Sequence, residues 1–232
     1  MTDVSNTRRR GIFDGSRAVA PLLVGIIPFG LIFGVTAAGS VVGGGLGYAT
    51  SIIIFAGAAQ LATIQLLDTG VAAIVVIATA LVINARHLMY SAAMAPHFRE
   101  FPAASRVTLP YLLTDQAFAV SIVRYDETTD PTYKRWFYFG AAITLWISWQ
   151  ITTAAGVLLG AQVPASWSLD FAIPLVFLAL LIPAVRSRPA LVAAVVGGGV
   201  ALLASGAPYG LGLVIGAVSG VIAGVIAERV MW

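Results

Sequence analysis

Residues 18–67 read AVAPLLVGIIPFGLIFGVTAAGSVVGGGLGYATSIIIFAGAAQLATIQLL, 50 residues between Arg17 and Asp68 with no Asp, Glu, Lys or Arg. A helix that crosses a bilayer needs ~20 apolar residues, so this stretch has room for two. Arg135 and Asp170 bracket another 34 uncharged residues, and Arg188 and Glu228 a further 39. Over the 232 residues, 59% are hydrophobic and 10% charged. Soluble domains carry about 25% charged residues, so there is too little charge here to cover a water-facing surface. A soluble globular enzyme, a nucleic-acid binder and a disordered tail are excluded. The 13 basic residues exceed the 10 acidic by only three, an imbalance that suits membrane orientation and not a nucleic-acid patch. With no cysteine, disulfides, thiol catalysis and thiolate metal sites are excluded as well.

Splitting the apolar runs at Gly, Pro and charge clusters gives eight candidate spans, near 18–38, 47–67, 71–95, 107–123, 136–158, 171–185, 189–205 and 209–227. The sixth and seventh are short for full crossings, so six or seven spans also fit. The expected fold is therefore all-α, a polytopic membrane helix bundle with some helices broken mid-membrane. Residues 1–17 form an N-terminal arm whose Thr7-Arg8-Arg9-Arg10, followed by an apolar run and by Thr-Ala-Ala-Gly-Ser at 36–40, superficially resembles a secretion signal with a cleavage site. The apolar run beyond it exceeds the roughly 7–15 residues of a signal's hydrophobic region, and the arm is read as retained and cytoplasmic. Residues 18–123 form a first half carrying the polar site, 124–135 a cytoplasmic linker loop and 136–232 a second half.

Lys and Arg set the orientation. With eight crossings and both ends inside, Arg8, Arg9, Arg10, Arg17, Arg124, Lys134, Arg135, Arg186, Arg188 and Arg229 fall on the cytoplasmic side, and Arg99 and Arg106 outside. A re-entrant 47–67 inverts everything after it and nearly removes the bias, so eight crossings are preferred. The 124–135 loop has three acids but lacks the central Gly and closing Glu of a calcium loop, and reads as a solvated linker. No internal repeat is evident in the sequence. His97 falls in an outer loop. Trp146 and Trp149, beside Gln150, lie deep in the fifth span as packing or, second, as cavity lining.

Polar residues at membrane depth cost about 2.5–3.5 kcal/mol each for Arg or Asp, so each needs a partner. They crowd into the first half: Gln60, Gln65, Asn84, Arg86, His87, Asp115 and Gln116. Arg86 precedes the end of its span by nine residues and Asp115 follows the start of the next by eight, so at 1.5 Å per residue both lie roughly 12–14 Å below one surface. An intramembrane Arg86–Asp115 ion pair is expected, with Asn84 and His87 within a turn of the Arg. Pro28, followed by Gly30 and Gly34, and Gly57 stand at mid-span, and such breakers point to interrupted helices beside a wet cavity. Gly212, Gly216, Gly220 and Gly224 share one face of the last span and admit another backbone, internal or from a second subunit. With two histidines and no cysteine, neither a metal centre nor a cofactor is expected.

The segments Pro28-Phe29-Gly30-Leu31-Ile32-Phe33-Gly34, Phe55-Ala56-Gly57-Ala58-Ala59-Gln60, Asn84-Ala85-Arg86-His87-Leu88-Met89-Tyr90 and Leu113-Thr114-Asp115-Gln116-Ala117-Phe118-Ala119 together resemble the AzlC family, large subunits of bacterial branched-chain amino acid exporters. The resemblance implies a plasma-membrane permease that exports valine, leucine and isoleucine, with methionine as a further candidate, together with a small hydrophobic AzlD-type subunit. It implies Asp-Glu where this chain has Asp115-Gln116, so an acid able to carry a coupling proton is replaced by an amide. Arg86 and Asp115, with Gln60, Asn84, Gln116 and His87 around them, can hold a zwitterion or simply neutralise each other; His87 can relay a proton or serve structurally. An embedded enzyme is disfavoured by the lack of a His-Glu-x-x-His or Gly-x-Ser-x-Gly motif. No Gly-x-x-x-x-Gly-Lys loop exists for direct ATP drive. A channel or scaffold subunit is the remaining alternative.

Overall fold

The structure is a computed structural model that describes residues 2–160, 185, 187–207 and 211–231. The expected sixth span, 171–185, lies almost wholly outside the described residues. Everything regular among the described residues is helical. Among the described residues, three helical runs are long and apolar enough to cross a membrane: Ser5–Gly39, Ala73–Phe98 and Pro131–Gly160.

The first run joins α1 (Thr2–Val19) to α2 (Leu23–Gly39) through one 3₁₀ turn at Ala20–Leu22. Pro21 sits in that turn, where it supplies no N–H and none is needed. The N-terminal arm is thus the start of the first long helix. Pro28 does not break α2, contrary to the expected mid-span interruption. One missing backbone bond is tolerated because the next turns of α2 pack directly on a neighbouring backbone, that of the long helix Pro131–Gly160.

α3 (Gly43–Ile53) and α4 (Gly57–Asp68) come from the stretch read as the second span. They do not cross. At 11 and 12 residues each is only about 17 Å long, roughly half a hydrocarbon core. They fold back on each other: Gly47 lies against Ile64, Gln60 bonds Thr50, and the Val41 N–H donates to Asp68 Oδ1 at 2.8 Å. This is a re-entrant hairpin whose two ends share one face. α5 (Ala73–Asn84) and α6 (Arg86–Phe98) then cross back as one run jointed at Ala85.

The stretch read as the fourth span is a second hairpin. Its first arm is α7 (Ala103–Thr108) with a 3₁₀ turn, Leu109–Leu112, and its second is α8 (Asp115–Asp126). α9 (Pro131–Gly160, 30 residues) measures the depth of both arms. Tyr111 is level with Trp146, whose Nε1 donates to the Tyr111 hydroxyl at 3.0 Å, whereas Tyr125 donates to the Lys134 carbonyl at 3.0 Å. Lys134 and Trp146 are about 18 Å apart along a helix. The chain therefore rises to mid-depth at Tyr111 and has returned by Tyr125.

Backbone contact aligns the first run and α9 side by side and parallel. Gly11 meets Trp136 and Tyr133, Gly15 meets Phe137 and Ala141, Gly30 meets Thr152, and Gly34 meets Thr153 and Val157. Gly15 and Gly34 would each drive a methyl group into a carbonyl of α9, so only glycine permits this approach. The parallel pairing gives the bundle two faces. The N-terminal face holds the start of α1, the 99–102 and 127–130 links and the start of α9. The opposite face holds the 40–42 and 69–72 links and the end of α9. His97 marks the side on which α6 ends, since its Nδ1 lies 3.4 Å from Lys134 Nζ. Arg99, Arg106 and His97, expected outside, thus share a face with Lys134 and Arg135. One re-entrant hairpin alone inverts the rest of the chain; here a second, entering from the other face, restores it.

α10 (Arg188–Leu203) and α11 (Leu211–Met231) form an antiparallel pair. Gly216 faces Ala201, Gly220 faces Gly197 and Gly224 faces Ala193, while Gly212 abuts the Ala204 carbonyl. The glycine face of the last helix is therefore taken by an internal partner.

A symmetry hidden in the sequence emerges from these elements. α4 spans 57 to 68 and α8 spans 115 to 126, a shift of 58 at both ends. With the same shift, the end of α2 at Gly39 corresponds to His97, one residue before α6 ends, and Pro28 corresponds to Arg86, where α6 begins. Residues 5–68 form a crossing helix followed by a hairpin from the opposite face. Residues 73–126 form a crossing helix of reverse direction followed by a hairpin from the N-terminal face. The two are inverted repeats. Ala59, Ile64 and Asp68 recur as Ala117, Ile122 and Asp126, too few matches to be seen without the elements.

Candidate functional site

Both hairpin tips stop at the middle of the bundle, where interrupted helices leave backbone groups that lipid cannot satisfy. At the first tip Phe55 takes φ 46, a left-handed conformation rare for a bulky residue, and α4 resumes at Gly57. The Gln60 side chain closes the gap. Its Oε1 accepts from the Ala56 N–H at 2.9 Å, and its Nε2 donates to Thr50 Oγ1 at 2.8 Å and Ser51 Oγ at 3.2 Å. Gln60 is 2% exposed and uses both of its donors within the hairpin, which leaves none for a ligand.

The first tip is anchored to α9. Trp149 Nε1 donates to Ser51 Oγ at 3.1 Å and Gln150 Nε2 to the Ser51 carbonyl at 3.0 Å. Gly57 is the point of close approach, because a Cβ there would lie 2.6 Å from the Trp149 ring and 3.0 Å from Phe29. Phe29 and Phe33 pack on the same indole, with centroids at 5.4 and 5.6 Å. Trp149 and Gln150 thus hold a hairpin in place instead of lining a cavity. The tips of the two hairpins meet where the Tyr111 hydroxyl donates to the Ile52 carbonyl.

At the second tip the chain breaks at Leu113 and Thr114. Thr114 Oγ1 accepts from the Ala117 N–H at 3.2 Å and caps α8. Asp115 opens α8, where the positive end of the helix favours a carboxylate. Arg86 opens α6, and its Nη1 stands 3.5 Å from Asp115 Oδ2. The pair is long and loose, with side chains 34% and 41% exposed. Arg86 Nε and Asn84 Oδ1 are buried without a hydrogen-bond partner among the described residues. His87 Nδ1 lies 3.2 Å from the Asn84 carbonyl, and its ring meets Tyr90 edge-on, which in turn stacks on Phe118 at 4.5 Å.

Beside this pair lies a cavity of ≈ 840 Å³ with Asp115, Gln116, Tyr90 and Phe118 toward its inner end. Leu22, Val120 and Val123 make apolar walls, and Arg124 and Glu127, paired at 2.7 Å, stand at the N-terminal face. Its size falls within the roughly 300–1,000 Å³ of small-molecule sites.

Of the residues singled out from sequence, Asp115 and Gln116 line this cavity, Arg86 pairs with Asp115, and Asn84 and His87 lie within a turn of Arg86. Gln60 and Gly57 belong to the neighbouring anchored tip, and Pro28 belongs to neither. Tyr90 and Tyr111 are the residues that sequence reasoning misses. Tyr90 lies four residues after Arg86 and so on the same helix face, a signal the sequence offers. Tyr111 offers none, since its partners, the Ile52 carbonyl and the Trp146 indole, are both remote in sequence.

The family described as AzlC protein matches residues 21–163, which takes in both hairpins, the charged pair and all of α9. The chain belongs to the AzlC family. A protein of Archaeoglobus fulgidus described as an uncharacterized membrane protein is 32% identical over 193 residues, 78% of this chain and 79% of that one. The inner membrane protein YgaZ of Escherichia coli is 24% identical over 190 residues, 77% of this chain and 75% of its own. No solved structure matches. This AzlC-family chain is accordingly an integral membrane protein, in keeping with the three long apolar helical runs among its described residues.

Proposed function

We propose that this AzlC-family protein is a secondary-transport permease subunit that exports branched-chain amino acids across the plasma membrane, with its N-terminal face in the cytoplasm. The observation that carries this reading is the loose Arg86–Asp115 pair, whose Asp115 lines an apolar-walled cavity beside interrupted helices. An α-amino acid is a zwitterion. Its carboxylate suits the Arg86 guanidinium, whose Nε has no partner among the described residues, and its ammonium suits Asp115. An aliphatic side chain suits the walls of Leu22, Phe118, Val120 and Val123. Valine, leucine and isoleucine fit that description, and methionine does by its similar length and polarity. Orientation rests on charge: between Arg17 and Arg86 there is no Lys or Arg, whereas Arg8–Arg10, Arg99, Arg124, Lys134 and Arg135 gather at the N-terminal face.

A small hydrophobic AzlD-type subunit belongs to the same proposal. The run Ala73–Phe98, which carries Arg86, leaves Ile74, Leu81, Leu88 and Met89 strongly exposed on either side of a partly exposed guanidinium. Lipid is a poor neighbour for that charge, and a second membrane protein is a better one. The test is export of valine and leucine from cells with and without the small subunit, using wild type, Arg86→Ala, Asp115→Ala and the charge swap. The proposal expects all three variants to insert normally and to lose export. Unimpaired export in both single variants overturns it, and a swap that restores export assigns the pair a structural role.

A further inference from the structure

The two inverted repeats are the same in topology but not in state. The shift of 58 residues pairs Ala119 with Leu61, Val123 with Gln65 and Ala18 with Val76. On the second hairpin Ala119 is exposed and Val123 is 62% exposed, facing the cavity; on the first, Leu61 is 0% exposed and Gln65 half-buried. Ala18 lines the cavity while its counterpart Val76 is 6% exposed. One repeat is open to its own face and the other is shut.

We infer that the repeats exchange these states, so that a second cavity lined by Leu61, Ala62, Gln65 and Val76 opens to the opposite face as the cavity beside Asp115 closes. Inverted repeats that adopt one another's conformations give two-sided access to a single central site. The inference rests on the transport reading for its purpose, but not for its geometry.

The bonding identifies the moving part. Gln60 ties both arms of the first hairpin together through Thr50, Ser51 and Ala56, so the hairpin moves as one body. Bonds to other elements hold it shut: Trp149 to Ser51 Oγ, Gln150 to the Ser51 carbonyl and Tyr111 to the Ile52 carbonyl. The open hairpin has Phe118 at the position equivalent to Gln60, and that ring stacks on Tyr90 of α6. The hydrogen bonds to be exchanged thus lie at the tips.

The natural absence of cysteine allows single-cysteine labelling with a membrane-impermeant sulfonated maleimide, applied to either face in vesicles of defined orientation in the presence of leucine. Val123→Cys is expected to react from the N-terminal face. Gln65→Cys and Leu61→Cys are expected to react from the opposite face, more slowly than a permanently exposed site, while Ala142→Cys, buried in α9, reacts from neither. Gln150→Met, added to Gln65→Cys, is expected to raise its rate roughly 2- to 10-fold, the population shift that accompanies loss of one net hydrogen bond. If neither Gln65→Cys nor Leu61→Cys reacts from the opposite face in protein that moves leucine, the exchange is refuted. If Gln65→Cys reacts as expected but wild type moves no branched-chain amino acid, the exchange stands and the transport proposal fails.

Discussion

Arg86 and Asp115 each occupy the first residue of a helix that resumes at the middle of the bundle, and their side chains meet at 3.5 Å across two different elements of the second repeat. Neither helix start is an accident of composition. α8 needs an acceptor after the break at Thr114, and α6 begins where Pro28 lies in the inverted partner. The pair is partly solvated and gains little from its own attraction. It is better suited to being divided between the two charges of a ligand than to holding the fold.

Asp115→Asn therefore separates ligand recognition from stability. The amide keeps the size of the side chain and removes only its charge. Leucine affinity is expected to fall about 10- to 100-fold, the scale of a lost charge-assisted hydrogen bond, while the thermal stability of the purified protein is nearly unchanged. Leucine binding measured by calorimetry beside thermal unfolding checks both halves.

Gln60→Leu has the opposite signature. The substitution is close in size, but it strands the Ala56 N–H and removes the tie between Thr50, Ser51 and α4. Each buried group left without a partner costs about 1–3 kcal/mol. Tm is expected to drop by roughly 5–10 °C at about 2–4 °C per kcal/mol. An unchanged Tm would mean that Gln60 does not close the first tip.

Gly34→Leu tests the parallel contact between α2 and α9. The new side chain has to enter the space held by the Thr153 carbonyl and Val157. Overpacking of this kind costs about 1–3 kcal/mol or more, and the expected result is reduced Tm and reduced yield of folded protein. Gly45→Leu, at a site with open space around it, is the matched control and is expected to be tolerated apart from a small propensity effect.

The membrane character was fully legible in the spacing of charges, and the meeting of Arg86 with Asp115 in their distances from a shared link. That arithmetic survives because α6 and the first arm of the second hairpin still run antiparallel. The hairpins were not legible, for a physical reason. Residues 47–67 are long and apolar enough to cross, and hydropathy does not register a reversal of direction. The available clue was polar: Thr50, Ser51 and Gln60 flank Phe55, and they satisfy one another only if the chain folds back between them. Counting charges for a single re-entrant segment argued against the fold, because two were needed for the basic residues to return to one face.

That topology makes a direct prediction. Cysteines placed at Glu100 and Asp130, in the 99–102 and 127–130 links, are expected to react with an impermeant reagent from the same side. Eight full crossings put them on opposite sides. Reaction from opposite faces is incompatible with the second hairpin.

The central claim is that one site holds both charges of an amino acid, and leucine counterflow in proteoliposomes tests it most directly through competition by analogues. Leucine is expected to compete fully. Leucinamide, which lacks the carboxylate that Arg86 would hold, and 4-methylpentanoate, which lacks the ammonium that Asp115 would hold, are each expected to compete at least about tenfold more weakly. Equal competition by either analogue would show that the corresponding charge is not read and would contradict the claim.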